Sequence, residues 1–373
     1  MDQREILTRE RDVLFSSVDV LTKTGSKAKK VNLTIPEIPK HVTDIELREL
    51  IEEWTGGKET VLFDKDGVPS VMVRVRGRTI GELLKEDNRE IHPAFGDDEF
   101  QVSEIWVSKY QNSMLDGHPA SLPFCRPERI RRPAAAEAEC RDKGDGWALM
   151  SFSLWSFLAL QSAEAGTLPS GNNDHGHDFF HPEEKGVPSG DPDTVLTGSG
   201  PVSWSHDGTV TGIWDLNGNL NEWVSGFRLS DGEIQTQSLK QVLSGDDRWQ
   251  AWETGSGRLH YEVTESTVTL TDKTENYEYS GTIGGCSFSD IQLDADQPDR
   301  KLLQAWGMVP PDHLSTGHGW RWVSTAGRVV PLCGGAYGAL HHSGVFFAGM
   351  TKPADRDYSL SGMRSIWTAP EGG

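Results

Sequence analysis

The spacing of hydrophobic and polar positions predicts a helix followed by a hairpin in the first quarter of the chain. Thr43 precedes a stretch whose apolar residues recur every three or four positions, and Gly56-Gly57 ends it, which is the pattern of a capped amphipathic helix. Apolar and polar residues then alternate on either side of Asp66-Gly67, as they do in a β-hairpin. We therefore assign a small α/β unit to residues 41–97.

The first residues of the chain are polar and of mixed character. We interpret residues 1–40 as an N-terminal tether that contains one helix or strand. A unit as small as residues 41–97 buries little apolar surface and is marginally stable alone. We therefore expect that unit to pack against a neighbour or to mediate attachment or oligomerisation.

A different pattern begins at residue 98 and extends to residue 373. A strand-like alternation is followed by an alanine-rich helix over residues 134–143, and then by a second helix with Ser151 or Ser153 as its candidate N-cap. Short apolar segments between glycine-rich loops make up the rest. Two helices ahead of a loop-rich β-region predict an α+β fold.

Charge and hydropathy argue against two classes of function. The chain has 36 Lys and Arg against 56 Asp and Glu, a net charge of −20, which repels a polyanion and argues against nucleic acid as a partner. The basic stretch Arg126–Arg132 is too short to reverse this, and we interpret it as a solvated loop face. No apolar run approaches the roughly 20 residues of a membrane span, and the charged N-terminus lacks the apolar core of a secretory signal. We expect no membrane insertion, and a location in the cytoplasm of the producing cell or in a particle assembled there.

One candidate cation site is a polar repeat in the middle of the chain. Asp215, Asn217, Asn219 and Asn221 occupy alternate positions, so an extended backbone would present four oxygen-bearing side chains on one face. Calcium prefers such ligands, although Leu220 breaks the pattern of an EF-hand. We favour the alternative that these side chains hydrogen-bond neighbouring loop backbone. A structural calcium ion is the only cofactor that this segment suggests.

A second candidate metal site is the loop that holds His175, His177 and His181 together with two aspartates. We favour a surface loop with incidental histidines. The four cysteines form no CxxC pair, and the sequence has no phosphate-binding loop, nucleophile elbow or zinc-protease helix. The residues by themselves therefore indicate no catalytic site.

The carboxyl-terminal residues 333–364 have the mixed composition of a recognition surface. The stretches 337–343 and 354–360 show neither helical nor strand periodicity and combine aromatic, charged and small residues. Aromatic side chains provide stiff contact area, and Asp, Arg and His provide polar contacts.

Several motifs resemble one known family, in the order in which that family has them. GIWDLNGNLNEWV, CGGAY, SGVFF and SGMR are similar to the frame of the formylglycine-generating-enzyme type of C-type lectin fold, which typically reads GNVWEW, RGGSW and GFR. SKYQNS, KGDGWALMSFSLW and TGSGPVSWSHDGT more narrowly resemble phage and prophage proteins diversified by retroelements, the functional class of the phage major tropism determinant. The resemblance implies a C-type-lectin-like domain over residues 98–373, with a variable ligand-binding region at residues 333–364.

The resemblance also implies that the chain is not an enzyme. Formylglycine-generating enzymes need two cysteines in the segment after RGGSW, and the matching positions here are Ala339 and Gly344. Cys333 replaces the arginine of that motif and does not match either position. A copper thiolate site cannot form without the two thiols.

In the diversified relatives, a template is copied with errors at adenines, so that Asn-type codons change. Residues 337–343 and 354–360 contain only residue types that this process reaches. The resemblance implies ligand contacts at Ala336, Tyr337, Ala339, His341, His342, Phe347, Gly349, Thr351, Asp355, Asp357 and Tyr358. It implies a fixed frame at Trp214, Asn219, Glu222, Trp223, Gly334, Gly335, Gly344, Phe346, Gly362 and Arg364.

For a protein of this class, the resemblance implies a host-surface protein or glycan as receptor and phage-tail or other virion proteins as assembly partners. It also implies a virion or the cytoplasm of the producing bacterium as the location, and trimers are common in the tail-protein class. Residues 1–97 would then attach the domain to the particle. The alternatives are an enzyme on the same frame with metal-dependent chemistry at the His175 loop, and a structural tail-tip protein whose carboxyl-terminal region is fixed.

Overall fold

The computed structural model of the protein describes residues 1–15, 35–191, 193–264, 266–273 and 283–370. The part of the predicted tether in residues 16–34 lies outside this set. Helices and strands are interspersed along the chain, so the fold is α+β, as the sequence predicts.

Seven α-helices occur among the described residues, and most of them are short. They are α1 (Gln3–Phe15), α2 (Asp44–Thr55), α3 (Ile80–Leu84), α4 (Pro133–Asp142), α5 (Phe152–Ala165), α6 (Leu239–Ser244) and α7 (Arg300–Ala305). None of the helices in these ranges is both long and apolar enough to cross a bilayer.

Helix α2 shows how the sequence sets the ends of a helix. The Thr43 side chain accepts a hydrogen bond from the backbone N–H of Glu46, and the Glu46 carboxylate accepts one from the backbone N–H of Thr43. Gly56 adopts a left-handed conformation with φ of 61°, which ends the helix. The helix predicted from apolar spacing is therefore confirmed.

The strands form three sheets and one short hairpin. The first sheet has the order β1 (Glu59–Phe63), β2 (Pro69–Arg76), β3 (Glu104–Ser108), β20 (Ser365–Trp367) and β6 (Trp147–Leu149). The second has the order β14 (Gln292–Asp294), β12 (Val268–Thr271), β11 (His260–Val263), β9 (Glu233–Thr236), β8 (Phe227–Ser230) and β16 (Arg328–Val329), with β10 (Gln250–Ala251) paired to β9. The third has the order β13 (Ile283–Ser287), β15 (Trp320–Ser324), β18 (Gly344–Met350), β17 (Leu332–Gly334), β7 (Asn221–Trp223) and β19 (Ser361–Gly362). The hairpin consists of β4 (Ser113–Leu115) and β5 (His118–Ala120).

The small unit at residues 41–97 is continuous with the rest of the chain through the first sheet. Its predicted hairpin is present as β1 and β2, and β2 pairs antiparallel with β3. Strand β3 in turn pairs with β20, which lies near the carboxyl terminus. The boundary that the sequence suggests near residue 97 thus runs through one sheet. A two-stranded hairpin is marginal in water, and the added strands supply the partner that it needs.

Helix α1 is anchored to this sheet by a buried ionic cluster. The Lys109 ammonium donates hydrogen bonds to Glu10 and, over 2.7 Å, to Glu59, and the Tyr110 hydroxyl donates to Glu10 over 2.9 Å. The side chains of Lys109, Glu10 and Glu59 have no exposed surface. Burial raises the pKa of Glu59 to about 8, because desolvation of its carboxyl outweighs the attraction of Lys109. Residues 3–15 of the predicted tether are therefore part of the folded body.

Helix α5 lies in the largest core and supports the third sheet. Its N-cap is Ser151, whose side chain accepts a hydrogen bond from the backbone N–H of Leu154. The helix is buried over most of its circumference. The Trp155 indole N–H donates to the carbonyl of Val345 over 2.7 Å, which fixes the start of β18 over the helix.

The ionic cluster gives a test of how α1 is held. In a Lys109→Met variant, Glu10 is left as a buried carboxylate without its counter-ion, so we expect the free energy of unfolding to fall by about 3 kcal/mol or more. Urea denaturation followed by tryptophan fluorescence measures this loss. Lys65 is the control because its ion pair with Asp142 is exposed to solvent, and Lys65→Met should change stability by less than about 1 kcal/mol. Equal effects of the two substitutions would contradict the anchoring role of the cluster.

Candidate ligand-binding site

The segment from residue 333 to residue 364 folds as two loops joined by strand β18. The first loop connects β17 to β18, and the second connects β18 to β19. Strand β18 directs Phe346 and Ala348 into the main core, where both are buried. Because side chains alternate along a strand, Phe347 and Gly349 belong to the opposite face, together with Thr351 just beyond the strand.

A pocket of about 310 Å³ lies on that opposite face, and we call it the aromatic pocket. Eight of the predicted contact residues line it: Ala336, Tyr337, Ala339, His342, Phe347, Gly349, Thr351 and Tyr358. Six further residues complete the wall: Asn221, Trp322, Leu332, Gly338, Lys352 and Leu360. Two loops that are separate in sequence are therefore brought to one site by the strand between them.

The missing side chain of Gly349 helps to form the pocket. Gly349 pairs with Trp322 in β15 on one side and with Leu332 in β17 on the other. A glycine between an indole and a leucine leaves open the volume that a larger side chain would occupy. The lysine at position 352 stands at the edge, with its ammonium 5.1 Å from the centre of the Tyr358 ring, a cation–π distance.

Three of the predicted contact residues lie outside the pocket wall. His341 is exposed, and its ring centre is 4.1 Å from that of His342 and 5.9 Å from that of Phe179. Asp357 pairs with the Arg132 guanidinium at 2.5 Å. Asp355 is exposed in the second loop. These three positions do not line the pocket.

Sequence reasoning missed the contribution of strand β15 to the site. Trp320 and Trp322 are half-buried on one face of that strand, while Arg321 and Val323 point into the core. The His342 ring centre lies 4.5 Å from that of Trp320 and 5.9 Å from that of Trp322. The period-two pattern of WRWV was a usable signal for the face of the strand, but nothing in it indicated that β15 lies beside β18.

His342 is the one histidine in the pocket wall, so the protonation state of its ring contributes to the charge of the wall. Partial burial lowers the pKa of His342 below its ordinary value of 6.5, and the neighbouring His341 lowers it further. The His342 ring is therefore mainly neutral at pH 7, so it offers the pocket an uncharged aromatic surface with one N–H donor.

The predicted frame residues form a buried scaffold under the pocket. Trp214, Asn219, Glu222, Trp223, Gly334, Gly335, Gly344, Phe346, Gly362 and Arg364 are all buried. The guanidinium of Arg364 donates to both carboxylate oxygens of Glu222, at 3.0 and 2.8 Å. It also donates to the backbone carbonyls of Ser108 and Trp214, so its hydrogen-bonding capacity is largely used.

Two of the frame glycines have conformations that other residues resist. Gly335 has φ of 83°, and a Cβ atom there would lie 2.5 Å from the Ser343 hydroxyl. Gly344 has φ of 142°, and a Cβ atom there would lie 2.2 Å from the carbonyl oxygen of His318. These contacts and dihedral angles explain why the frame needs glycine at both ends of the first loop.

The polar repeat of the sequence is used for hydrogen bonds between loops, which confirms the interpretation that we favour. Asn217 donates to the carbonyl of Pro169, Asn219 to that of Val195 and Asn221 to that of Leu360. Asp215 accepts a hydrogen bond from the backbone N–H of Gly198 through one oxygen. Burial raises the pKa of Asp215 to about 6, because desolvation outweighs that hydrogen bond.

The three histidines of the second candidate metal site do not converge among the described residues. His175 pairs with Asp193 at 2.8 Å, and His181 lies 3.4 Å from Asp178. The one group of three side chains in the described ranges with ligand atoms close enough to share a metal ion is Asp64, Asp66 and His118. It joins the turn of the first hairpin to β5, with Asp64 Oδ2 3.2 Å from His118 Nδ1. None of these three residues belongs to the two metal sites that the sequence suggested.

The pocket contains no thiol. Ala339 and Gly344, the positions that the sequence resemblance matches to the enzyme cysteines, carry no thiol, and Cys333 is buried in the core. Burial also raises the pKa of the Cys333 thiol well above its ordinary value, which makes it a poor nucleophile. The wall of the pocket instead offers aromatic surface, one histidine and one lysine, which suit binding.

Comparison with known proteins finds a distant likeness among solved structures. No protein-family model and no curated protein sequence matches the chain. The structure of PvdO from Pseudomonas aeruginosa aligns with 83% of this chain and 98% of its own, at 13% sequence identity and a TM-score of 0.35. An alignment at this TM-score carries no weight for function, so the functional argument depends on the residues of the site.

The difference between frame and pocket positions is testable by substitution in the same loop. We expect Gly344→Ala to lower the free energy of unfolding by about 2 kcal/mol or more, because the new Cβ meets the His318 carbonyl and the backbone has positive φ. Ala339→Ser, at a half-exposed position of the pocket wall, should change it by less than about 0.5 kcal/mol. Urea denaturation of both variants gives the comparison, and similar losses at the two positions would contradict the assignment of frame and surface.

Proposed function

We propose that this chain is a hypervariable ligand-binding protein on a C-type-lectin-like frame of the formylglycine-generating-enzyme type, diversified by a retroelement within residues 333–364. It acts as a receptor-binding component of a phage or prophage tail and has no catalytic activity of its own. Its receptor is a protein or glycan on the host surface.

The observation that carries the proposal is the separation of two kinds of position within one segment. The frame residues at its ends and centre are buried and bonded to the rest of the protein, whereas eight contact positions converge on one pocket; six of these are partly exposed, and Ala336 and Phe347 are buried. A protein that changes its ligand without losing its fold requires this separation, because substitutions on the surface cost little stability and substitutions in the core cost much.

Backbone hydrogen bonds of the first loop also support the proposal. The backbone N–H of Tyr337 donates to the carbonyl of Asn219 over 3.1 Å, and that of Leu340 donates to the carbonyl of Asn173 over 2.9 Å. The carbonyl of Tyr337 accepts from the backbone N–H of His175 over 2.7 Å. These bonds hold the first loop whatever side chains it carries. A loop fixed in this way pays little ordering entropy when it binds a ligand.

Residues 1–97 supply the attachment to the particle in this proposal. Several copies on one particle, as in a homotrimer, raise the overall avidity above the affinity of a single pocket. Binding of this kind uses no cofactor. The candidate calcium ligands from Asp215 to Asn221 already bond neighbouring loops and leave the proposal independent of calcium.

Sequencing the DNA around the gene in several sister isolates tests the proposal. We expect a near-copy of the stretch that encodes residues 333–364 beside a reverse-transcriptase gene, differing from it only at adenines of the copy. The altered codons should fall at the pocket and its rim, while the codons for Gly335, Gly344 and Arg364 stay constant. An invariant stretch without a nearby copy would contradict diversification and would favour a binder of fixed specificity or a structural tail-tip protein.

A further inference from the structure

The arginine-rich segment at residues 126–132 lies against the second variable loop. The backbone N–H of Tyr358 donates to the carbonyl of Arg131 over 2.9 Å, and the N–H of Ile130 donates to the carbonyl of Ser361 over 2.8 Å. The Trp223 indole also donates to the carbonyl of Ile130. The segment that the sequence suggested to be a solvated loop face is therefore held in place beside the aromatic pocket.

A second depression, of about 480 Å³, is formed by this segment, and we call it the arginine groove. Its wall consists of Arg126, Pro127, Glu128, Arg129, Arg131 and Ser359. The groove adjoins the aromatic pocket through Arg129 and Tyr337. The guanidinium carbon of Arg129 lies 5.8 Å from the centre of the Tyr337 ring, and one of its nitrogens donates to the carbonyl of Ser359 over 2.9 Å. A ligand that fills the pocket past Tyr337 reaches the guanidinium groups.

The charge of this surface is opposite to that of the whole protein. Arg126 and Arg129 pair with Asp191, and Arg131 and Arg132 pair with Asp357, so four guanidinium groups share two carboxylates. Lys352 and Glu128 add one charge of each sign. The net charge of the chain is −20. The side chains of Arg126 and Arg131 are 61% and 68% exposed, and their ion pairs are long, at 3.5 and 3.9 Å. Both guanidinium groups therefore keep donors available to a ligand.

We infer that the ligand is an acidic protein segment in which carboxylates flank an aromatic or aliphatic side chain. The apolar side chain enters the aromatic pocket, and the carboxylates pair with Arg126 and Arg131 in the groove. Arginine matches a carboxylate with two parallel hydrogen bonds, which gives direction as well as charge.

The wall of the aromatic pocket has apolar surface that fits the aromatic or aliphatic side chain of such a segment. Trp322, Leu332 and Phe347 present apolar surface, and the Asn221 amide already donates to the carbonyl of Leu360. The same wall also holds hydrogen-bonding side chains, those of Tyr337, His342, Thr351, Lys352 and Tyr358. The choice of an acidic segment therefore depends on the arginine groove, whose guanidinium groups match carboxylates.

This inference depends on the proposed function and adds to it separate roles for the arginines and for the variable residues. The arginines precede the variable segment in the sequence, so they are not changed by diversification of residues 333–364. They supply a constant attraction for acidic surfaces, which raises the rate of association at low ionic strength. The variable residues then select among acidic partners by the shape of the pocket.

Selection from a random peptide library tests the inference, with the full-length protein as bait. We expect the enriched peptides to carry at least two Asp or Glu close to an aromatic or aliphatic residue. Fluorescence polarisation of the best peptide should show that an Arg126→Gln/Arg131→Gln variant loses about tenfold in affinity, which is about 1.4 kcal/mol. The control is Arg248→Gln/Arg258→Gln, because those arginines are 79% and 61% exposed in ion pairs outside both depressions. Its affinity should stay within about twofold of the wild type.

Further variants and probes separate the inference from the proposed function. A His342→Ala/Tyr358→Ala variant should lose the peptide. If this variant loses it while the Arg126/Arg131 variant keeps wild-type affinity, the acidic class is overturned and the proposed pocket remains. If the His342→Ala/Tyr358→Ala variant keeps the peptide, the proposed function is contradicted as well as the inference. A selection that enriches neutral peptides or none, or tighter binding of a heparin oligosaccharide or an oligonucleotide, would also overturn the acidic protein segment.

Discussion

The buried ion pair between Glu222 and Arg364 is the interaction on which the surrounding structure depends. Glu222 lies in β7, where it is paired with Cys333 of β17 on one side and with Gly362 of β19 on the other. The two ends of the candidate variable segment therefore meet at one residue. Arg364, two residues beyond Gly362, forms the ion pair with Glu222 and also donates hydrogen bonds to the backbone carbonyls of Ser108 and Trp214. Removing one partner of such a pair leaves a charge buried without compensation, which typically costs 3–5 kcal/mol.

The ion pair between Glu222 and Arg364, together with the strands beside it, explains how loops without regular structure present a defined surface. Both loops begin and end on strands of the third sheet, and β18 runs between them over helix α5. Ser343 adds a side-chain bond to Asn217 at the end of the first loop. Eight positions between these fixed points line the aromatic pocket. The proposed function requires that side chains at such positions change while the backbone stays in place.

Local patterns predicted local structure well and long-range neighbours poorly. Thr43 and Gly56 predicted both ends of α2, and Asp66-Gly67 predicted the first hairpin, because caps and turns depend on a few adjacent residues. The resemblance indicated eight of the fourteen pocket-lining residues. Trp322 was missed because β15 pairs with β18 across more than twenty residues of sequence. Docking of α1 through Lys109 and the placement of Arg126 and Arg131 beside Tyr358 were missed for the same reason.

The central claim is that the pocket residues are free to vary while the frame is not. The most direct measurement is the folded fraction of two libraries by limited proteolysis. One library has the six partly exposed contact positions of the pocket randomised together, namely Tyr337, Ala339, His342, Gly349, Thr351 and Tyr358, and the other has Glu222, Gly335, Gly344 and Arg364 randomised. Our account predicts that most members of the first library resist protease like the wild type and that few members of the second do. Similar protease sensitivity of the two libraries would contradict the account, because the pocket would then be part of what holds the fold together.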